Sequence, residues 1–386
     1  MSGEGQNGKP AGIRLYNAAG RWYTLGENKA KLTNETEDVL MAIRMGIIGF
    51  GYMGKWHLNN APKVENVSVV AAYDIVPERV QAAEEAGLKG FYNLDEFLKE
   101  DINLVLVATP NDVHCELACA AMKAGKNVIC EKPVAMSLTE VDRMIATAKE
   151  NNVLFTVHQN RRWDKDFRIV KEIIETRELG NVYAIHSRLH GTRGAMFGWR
   201  AEPEHGGGMI YDWGVHFVDQ LMWMLGFDAI KSVFCKTVKV KTPEVEDYFF
   251  LLLDLKSGAH IQMEVGTWVL NQLPRWMILG DEGTAYVNDF TRNGGIIKVD
   301  ETVEPEEIVV MTTSGPTRTF APRGKKEIIN KELPDSPADL TEYYANLRDA
   351  IDGKCELIVK PEQVRAVFTV LEAAFESAKT GRQIEL

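Results

Sequence analysis

Two short segments of the sequence carry side chains suited to moving a proton at an alcohol. Lys132 directly follows an apolar strand pattern and is fixed in place by Pro133, while Asp212 and His216 lie four residues apart where a helical pattern begins. Oxidising a secondary alcohol needs a base that takes the hydroxyl proton as hydride leaves carbon, and histidine titrates near neutrality. These residues therefore indicate a site for alcohol oxidation, in which Asp212 orients either His216 or the substrate.

A glycine-rich turn nearer the N-terminus indicates where a hydride acceptor would bind. Gly49, Gly51 and Gly54 follow an apolar run at the spacing that turns a strand into a helix beneath a pyrophosphate. Asp74 ends the next strand pattern about 20 residues later, where a carboxylate can bind ribose hydroxyls. Because no basic residue follows until Arg79, the sequence favours NAD over NADP.

Composition and charge narrow the class of partner. The chain has 386 residues, and 44 Lys and Arg against 55 Asp and Glu give a net charge of −11, which argues against a nucleic-acid or anionic-membrane partner. The five cysteines show no Cys-x-x-Cys spacing, and we expect no zinc or other metal site. We see neither a long apolar run nor a secretion signal, so we expect a soluble protein of the cytoplasm.

The order of the predicted elements gives an α/β fold in three parts. Residues 1–42 form an N-terminal arm, with two short strands around a turn between residues 13 and 25. Residues 43–160 alternate strands and helices as a Rossmann domain does. Residues 161–386 form a second α/β domain, in which long alternating segments predict a large open, mostly antiparallel sheet closed by two C-terminal helices.

Four motifs in this order and spacing give the chain a family resemblance. The segments 49–54 (Gly-Phe-Gly-Tyr-Met-Gly), 109–111 (Thr-Pro-Asn), 131–133 (Glu-Lys-Pro) and 212–216 (Asp-Trp-Gly-Val-His) closely resemble those of the Gfo/Idh/MocA oxidoreductases, which are sugar and cyclitol dehydrogenases. The resemblance covers roughly residues 43 to 386, so the arm departs from the family pattern. The resemblance implies that the nicotinamide lies between the two domains. It also implies a homo-oligomer (a dimer, a tetramer or a larger assembly) that forms through the open sheet.

The resemblance also implies roles for individual residues. His216 would be the acid/base, Lys132 would lower the hydroxyl pKa or stabilise the alkoxide, and Asp212 would anchor a neighbouring hydroxyl or tune His216. The glycine turn and the resemblance together predict a cofactor site formed by Gly49, Phe50, Gly51, Tyr52, Met53, Gly54, Asp74, Ile75, Thr109, Pro110, Asn111, His114, Glu131, Lys132, Gln159 and Asn160. The predicted substrate site consists of Lys132, Arg161, Trp163, Arg193, Trp199, Asp212 and His216.

Within the family, residues 158–167 are similar to a segment of scyllo-inositol dehydrogenases and of glycoside 3-dehydrogenases, including enzymes that oxidise plant C-glycosides. We therefore predict NAD-dependent oxidation of a secondary ring hydroxyl, at C3 of a glucoside or related sugar, to a keto-sugar. An inositol dehydrogenase is the alternative within the same chemistry. An NAD-using glycosidase and a non-catalytic NAD-binding sensor are alternatives from other classes.

Overall fold

A computed structural model describes residues 14–16, 22–24 and 42–386 of the chain. Strands β1 (Arg14–Tyr16) and β2 (Trp22–Thr24) pair in an antiparallel hairpin, which confirms the two short strands expected there. The rest of the predicted N-terminal arm lies outside the described residues. Residues 42–386 belong to one compact unit.

The first sheet of that unit is parallel and has six strands in the order β5-β4-β3-β6-β7-β8. All four residues of β6, Leu-Val-Leu-Val, are buried, as expected for a parallel sheet that is covered on both faces. The strands are β3 (Ile43–Ile48), β4 (Val67–Tyr73), β5 (Lys89–Phe91), β6 (Leu104–Val107), β7 (Asn127–Cys130) and β8 (Phe155–Val157).

The helices of this half connect successive parallel strands. They are α1 (Tyr52–Asn60), α2 (Pro77–Glu85), α3 (Leu94–Leu98), α4 (His114–Lys123) and α5 (Leu138–Glu150). Because β3 pairs with β4 on one side and β6 on the other, the strand order reverses between β3 and β6. Ligands of such sheets bind at the carboxyl ends of the strands near this reversal. The Rossmann architecture predicted from the sequence is confirmed.

The second sheet has nine strands in the order β18-β15-β14-β13-β9-β12-β11-β10-β19. Its β9–β12 pair is parallel and its other pairs are antiparallel, which confirms the predicted mostly antiparallel sheet. The strands are β9 (Val182–His190), β10 (Ile230–Val238), β11 (Tyr248–Leu255), β12 (His260–Gly266), β13 (Trp276–Gly280), β14 (Gly283–Val287), β15 (Gly294–Val299), β18 (Ile328–Lys331) and β19 (Ile384–Glu385). A separate hairpin pairs β16 (Val310–Thr312) with β17 (Gly315–Thr317).

One face of this larger sheet packs against helices. Residues of β11 alternate between buried and half-buried along the strand, so its two faces have different surroundings. The remaining helices are α6 (Lys165–Glu175), α7 (Val215–Leu225), α8 (Thr341–Ile351) and α9 (Pro361–Thr380). Helix α9 contacts both β10 and α5, so it packs against both halves of the unit. Within the described residues, no helix is both long enough and apolar enough to cross a lipid bilayer.

Candidate active site

A cavity of about 1330 Å³ lies between the two sheets. On the side of the first sheet it is lined by the turn after β3 and by residues that follow β4, β6 and β7. On the side of the second sheet it is lined by the ends of β9 and β12 and by the start of α7. The cavity therefore contains the strand ends at which the sequence predicted ligand binding.

The three glycines of the turn after β3 have different surroundings. Gly49 has φ +93°, and a Cβ there would lie 2.6 Å from the carbonyl oxygen of Ala108. A Cβ at Gly54 would lie 2.4 Å from the carbonyl oxygen of Gly49, so Gly54 lets α1 pack against the turn. A Cβ at Gly51 would meet no atom within 4 Å and would enter open space. The turn therefore leaves room beside Gly51 for a diphosphate, and these residues fit a dinucleotide.

Asp74 connects this turn to the end of β4. One carboxylate oxygen accepts a hydrogen bond from the backbone N–H of Phe50 at 2.8 Å, and the other accepts one from the N–H of Val76 at 2.9 Å. The guanidinium of Arg79 lies 3.5 Å from the same carboxylate and also lines the cavity. Asp74 is therefore fixed beside the glycine turn, and its contact with a ribose stays a prediction.

Lys132 and Asp212 form an ion pair that joins the two halves of the site. The Lys132 ammonium donates hydrogen bonds to the Asp212 carboxylate at 2.9 Å and to the Asp212 backbone carbonyl at 2.8 Å. The guanidinium of Arg200 lies 3.5 Å from the same carboxylate oxygen. Burial alone would raise the pKa of Asp212, but the charges and hydrogen bonds of Lys132 and Arg200 hold it below its usual range. Asp212 is therefore a carboxylate that fixes the direction of Lys132.

His216 lies in the first turn of α7 and lines the same cavity while being almost fully buried. Burial, followed by the positive charges of Lys132 and Arg161, lowers the pKa of His216 well below its usual value. The imidazole is therefore neutral at neutral pH. Its Nδ1 is buried and has no hydrogen-bond partner among the described residues.

Asp212 and His216 form no hydrogen bond with each other among the described residues, although their spacing suggested one helical face. The turn at Ile210–Gly214 is π-helical, and its wider spacing changes how side chains at i and i+4 align. Asp212 is directed to Lys132 instead. The spacing suggested that Asp212 orients either His216 or the substrate. In this geometry Asp212 does not orient His216 through a hydrogen bond.

A buried polar network lies behind Lys132. One oxygen of Glu131 lies 2.7 Å from His57 Nε2 and 2.9 Å from His158 Nδ1, and the Tyr344 hydroxyl lies 2.8 Å from His57 Nδ1. Burial opposes ionisation of Glu131, but the two histidines lower its pKa well below the usual value. Burial also lowers the pKa of His57 to about 4. The carboxylate and two rings are close enough to surround a metal ion, yet these distances are those of hydrogen bonds, and a metal-free site stays a prediction.

Comparison with known proteins identifies the family. Residues 43–159 match the family model described as the NAD-binding Rossmann fold of the Gfo/Idh/MocA oxidoreductases, and residues 171–386 match the C-terminal alpha/beta domain of the same family. The chain belongs to the Gfo/Idh/MocA oxidoreductase family. The resemblance noted in the sequence is thereby confirmed, as are the fold class and NAD as the cofactor.

Three proteins with known structures or names are similar to more than half of the chain. A crystal structure of an NAD-binding protein from Listeria innocua is 37% identical with a TM-score of 0.87, covering 90% of this chain and 100% of that one. The glucose-6-phosphate 3-dehydrogenase of Bacillus subtilis is 32% identical over 57% of this chain and 66% of its own length. The scyllo-inositol 2-dehydrogenase (NADP(+)) IolW of Bacillus subtilis is 26% identical over 89% of this chain and 96% of its own length.

Most of the residues predicted from the sequence line the cavity of this Gfo/Idh/MocA protein. From the cofactor set these are Gly49, Gly51, Tyr52, Met53, Asp74, Ile75, Thr109, Pro110, Asn111, Glu131, Lys132 and Asn160. From the substrate set they are Lys132, Arg161, Arg193, Trp199, Asp212 and His216. Five predicted residues, Phe50, Gly54, His114, Gln159 and Trp163, are not among the residues that line it.

Burial explains the position of those residues outside the cavity wall. Trp163 is buried against Tyr343, and its indole N–H donates to Glu342 at 2.9 Å. His114 is buried with its ring nitrogens 2.9 Å from the carbonyl oxygens of Pro133 and Thr109, so it positions the loops that line the cavity.

Of the other three residues, Phe50 and Gly54 act through the backbone, and Gln159 is buried. The Phe50 ring is buried and its backbone N–H binds Asp74, while Gly54 acts through close packing of α1. The Gln159 amide is buried and has no hydrogen-bond partner among the described residues.

The predicted substrate set leaves out several residues of this site. Trp213 lines the cavity, and the Arg161 guanidinium lies 4.1 Å from the centre of its ring. The segment Gly191–Phe197 after β9 also lines it, although only Arg193 of that segment was predicted. Its two glycines and their position after a long strand were a usable signal for a loop at the sheet edge.

Proposed function

We propose that this protein oxidises a secondary ring hydroxyl of a glucoside or related sugar, at C3, to a keto-sugar with NAD as the hydride acceptor. The observation that carries the proposal is one cavity that holds the glycine turn, a Lys132 ammonium fixed by Asp212, and a neutral, buried His216. A base that is unprotonated at neutral pH and a fixed cation are what removal of a hydroxyl proton requires.

In this proposal His216 is the general base. Since Nδ1 is enclosed, Nε2 is the nitrogen available to accept the hydroxyl proton. The Lys132 ammonium stabilises the developing alkoxide while Asp212 keeps it in place. When bound, NAD supplies the ring that accepts the hydride from the same carbon. The proton resides on His216 Nε2, and the alcohol becomes a ketone.

Aromatic and cationic side chains on the second-sheet side of the cavity suit a sugar ring. The Arg161 guanidinium covers the Trp213 ring at 4.1 Å, and the Arg200 guanidinium lies 4.3 Å from the Trp199 ring. Flat groups of this kind pack against the apolar faces of sugars, while the guanidinium edges donate to hydroxyls. We propose Arg161, Arg193 and Trp199 as substrate contacts, and we omit Trp163 because of its burial.

The named relatives support two positions of oxidation. The similarity to a glucose-6-phosphate 3-dehydrogenase favours C3 of a sugar, and the similarity to a scyllo-inositol 2-dehydrogenase along most of the chain favours a cyclitol. We propose the sugar as first candidate and an inositol as second. We further propose a cytoplasmic homo-oligomer that associates through the open face of the nine-stranded sheet.

The test is NADH formation by the purified protein with NAD and a panel of glucose, glucose 6-phosphate, aryl O- and C-glucosides, and myo- and scyllo-inositol. We expect absorbance of NADH with a sugar, and a product that mass spectrometry finds lighter by two hydrogen atoms. Oxidation of inositols alone would move the assignment to the second candidate. Cleavage of a glycoside without net NADH would indicate a glycosidase, and no turnover with any compound would favour a sensor.

A further inference from the structure

The charged groups that line the cavity almost all have a polar or charged partner in the protein. Each carboxylate has a cationic or imidazole partner within hydrogen-bond or ion-pair distance: Asp74 with Arg79, Glu116 with Arg143, Glu131 with His57 and His158, and Asp212 with Lys132 and Arg200. A lining charge without a partner in the protein is therefore free to pair with a group of a ligand that enters the cavity.

Arg193 is such a charge. Of the four arginines that line the cavity, Arg79, Arg161 and Arg200 each pair with a carboxylate. No ion pair, hydrogen bond or ring contact joins the Arg193 side chain to another of the described residues. The chain has a net charge of −11, so acidic partners are abundant elsewhere on it. Arg193 is exposed, so its guanidinium is available to a ligand at the wall of this cavity.

The backbone that carries Arg193 is held in place on both sides. The N–H of Gly191 donates to the Gly266 carbonyl at 2.8 Å, and the N–H of Gly194 donates to the Thr267 carbonyl at 2.9 Å. These bonds fasten the loop after β9 to the residues at the end of β12, where two neighbouring central strands of the second sheet end. Arg193 is thus attached to the half of the cavity that contains His216, whereas the glycine turn belongs to the first sheet.

We propose that the substrate carries an anionic group, a phosphate monoester or a carboxylate, and that Arg193 binds it. This proposal rests on the function proposed above and names the class of sugar that the site takes. A guanidinium offers two parallel N–H donors that match the oxygens of either group. Every carboxylate that lines the cavity already has a partner in the protein. The anionic group of the substrate therefore supplies the partner that Arg193 lacks.

The experiment compares wild type with Arg193→Gln on glucose 6-phosphate, glucuronate and the neutral methyl glucoside. Arg382→Gln is the matched control, because Arg382 is exposed, lies outside the cavity, and its side chain has no partner among the described residues. We expect wild type to prefer one of the anionic sugars in kcat/KM. Arg193→Gln should reduce the ratio of anionic to neutral kcat/KM by about tenfold or more, since charge-assisted hydrogen bonds are strong. Arg382→Gln should keep the wild-type ratio.

The two anionic sugars distinguish the two sources of charge. A loss confined to glucose 6-phosphate assigns a phosphate, and a loss confined to glucuronate assigns a carboxylate. An unchanged ratio, or a wild-type preference for methyl glucoside, would overturn the proposal while leaving sugar oxidation intact. An equal loss of NADH affinity, measured by fluorescence titration, would also overturn it, because Arg193 would then be a cofactor contact.

A binding measurement covers the case in which no sugar is oxidised and the proposed function itself fails. Calorimetry with glucose 6-phosphate and glucuronate is carried out on the NADH complex of His216→Ala and of the double variant with Arg193→Gln. Saturable binding that the second substitution weakens would support the anion site. Absence of binding to both sugars would overturn it.

Discussion

The cavity joins two regions that present different kinds of group to a ligand. Around Gly51 the available groups are backbone amides and open space, with the Asp74 carboxylate held by two backbone N–H groups. Around His216 the lining groups are long side chains, those of Lys132 and Arg161. The first region follows from one local turn, whereas the second needs segments that are far apart in the sequence.

The two regions should therefore respond differently to substitution. A backbone site tolerates changes that keep the turn and fails when a side chain fills its space. A side-chain site keeps its shape when one group is removed but loses the chemistry of that group. Substitutions can therefore separate binding at the glycine turn from proton transfer at His216.

The largest effect should follow His216→Ala. We expect kcat for sugar oxidation to fall by about 10²–10⁴-fold, since this is the usual contribution of a general base. The affinity for NADH, measured by fluorescence titration, should stay within a factor of about two of wild type, a change of well under 1.4 kcal/mol. A parallel loss of NADH affinity would show that His216 belongs to the cofactor region instead.

Gly51→Val should weaken the affinity for NADH, which His216→Ala leaves nearly unchanged. Its Cβ meets no protein atom within 4 Å, so the midpoint of thermal unfolding should stay near that of wild type. The side chain would enter the space assigned to the diphosphate, and overpacking predicts an NADH affinity about ten- to a hundredfold weaker. Gly54→Val is the contrast, because a Cβ there lies 2.4 Å from the Gly49 carbonyl and should lower the melting temperature. Normal NADH binding by Gly51→Val would contradict the placement of the diphosphate.

The smallest effect should be on pH dependence. Because burial and the nearby cations lower the pKa of His216, the acid limb of kcat/KM in wild type should lie below pH 6.5. Arg161→Gln removes one of those cations, which raises the pKa and should move the limb to higher pH by up to about one unit. Arg161→Lys keeps the charge and should leave the limb near its wild-type position. If the acid limb of kcat/KM has the wild-type position in both variants, Arg161 does not contribute to the lowered pKa of His216.

The sequence predicted the Rossmann sheet, the mostly antiparallel second sheet and the residues on either side of the cavity. These follow from local patterns: apolar strand runs, glycine spacing, and the motifs around Lys132 and His216. The hydrogen bond between His57 and Tyr344 could not be predicted, because its partners are 287 residues apart and each looks like an ordinary polar residue. Trp163 was assigned to the substrate because its type suits a sugar, and only tertiary packing shows that α8 covers it.

The π-helical turn before α7 is a second feature that local patterns did not reveal. A regular helix would place Asp212 and His216 on one face, and the sequence spacing suggested that reading. The turn at Ile210–Gly214 is wider, and Asp212 pairs with Lys132 rather than with His216. Whether four residues span a regular or a widened turn depends on tertiary contacts rather than on the identities of the four residues.

Contacts between the first half of the compact unit and the C-terminal segments affect how the chain can fold while it is being synthesised. Synthesis delivers β3–β8 first, and domains generally begin to fold as they emerge from the ribosome. Yet the Tyr344 hydroxyl lies 2.8 Å from His57 Nδ1, and Thr156 donates to the Val359 carbonyl. A nascent chain that ends after β8 therefore has the strands of the first sheet but lacks these two buried partners of its polar groups. Only translation of the final segment completes them.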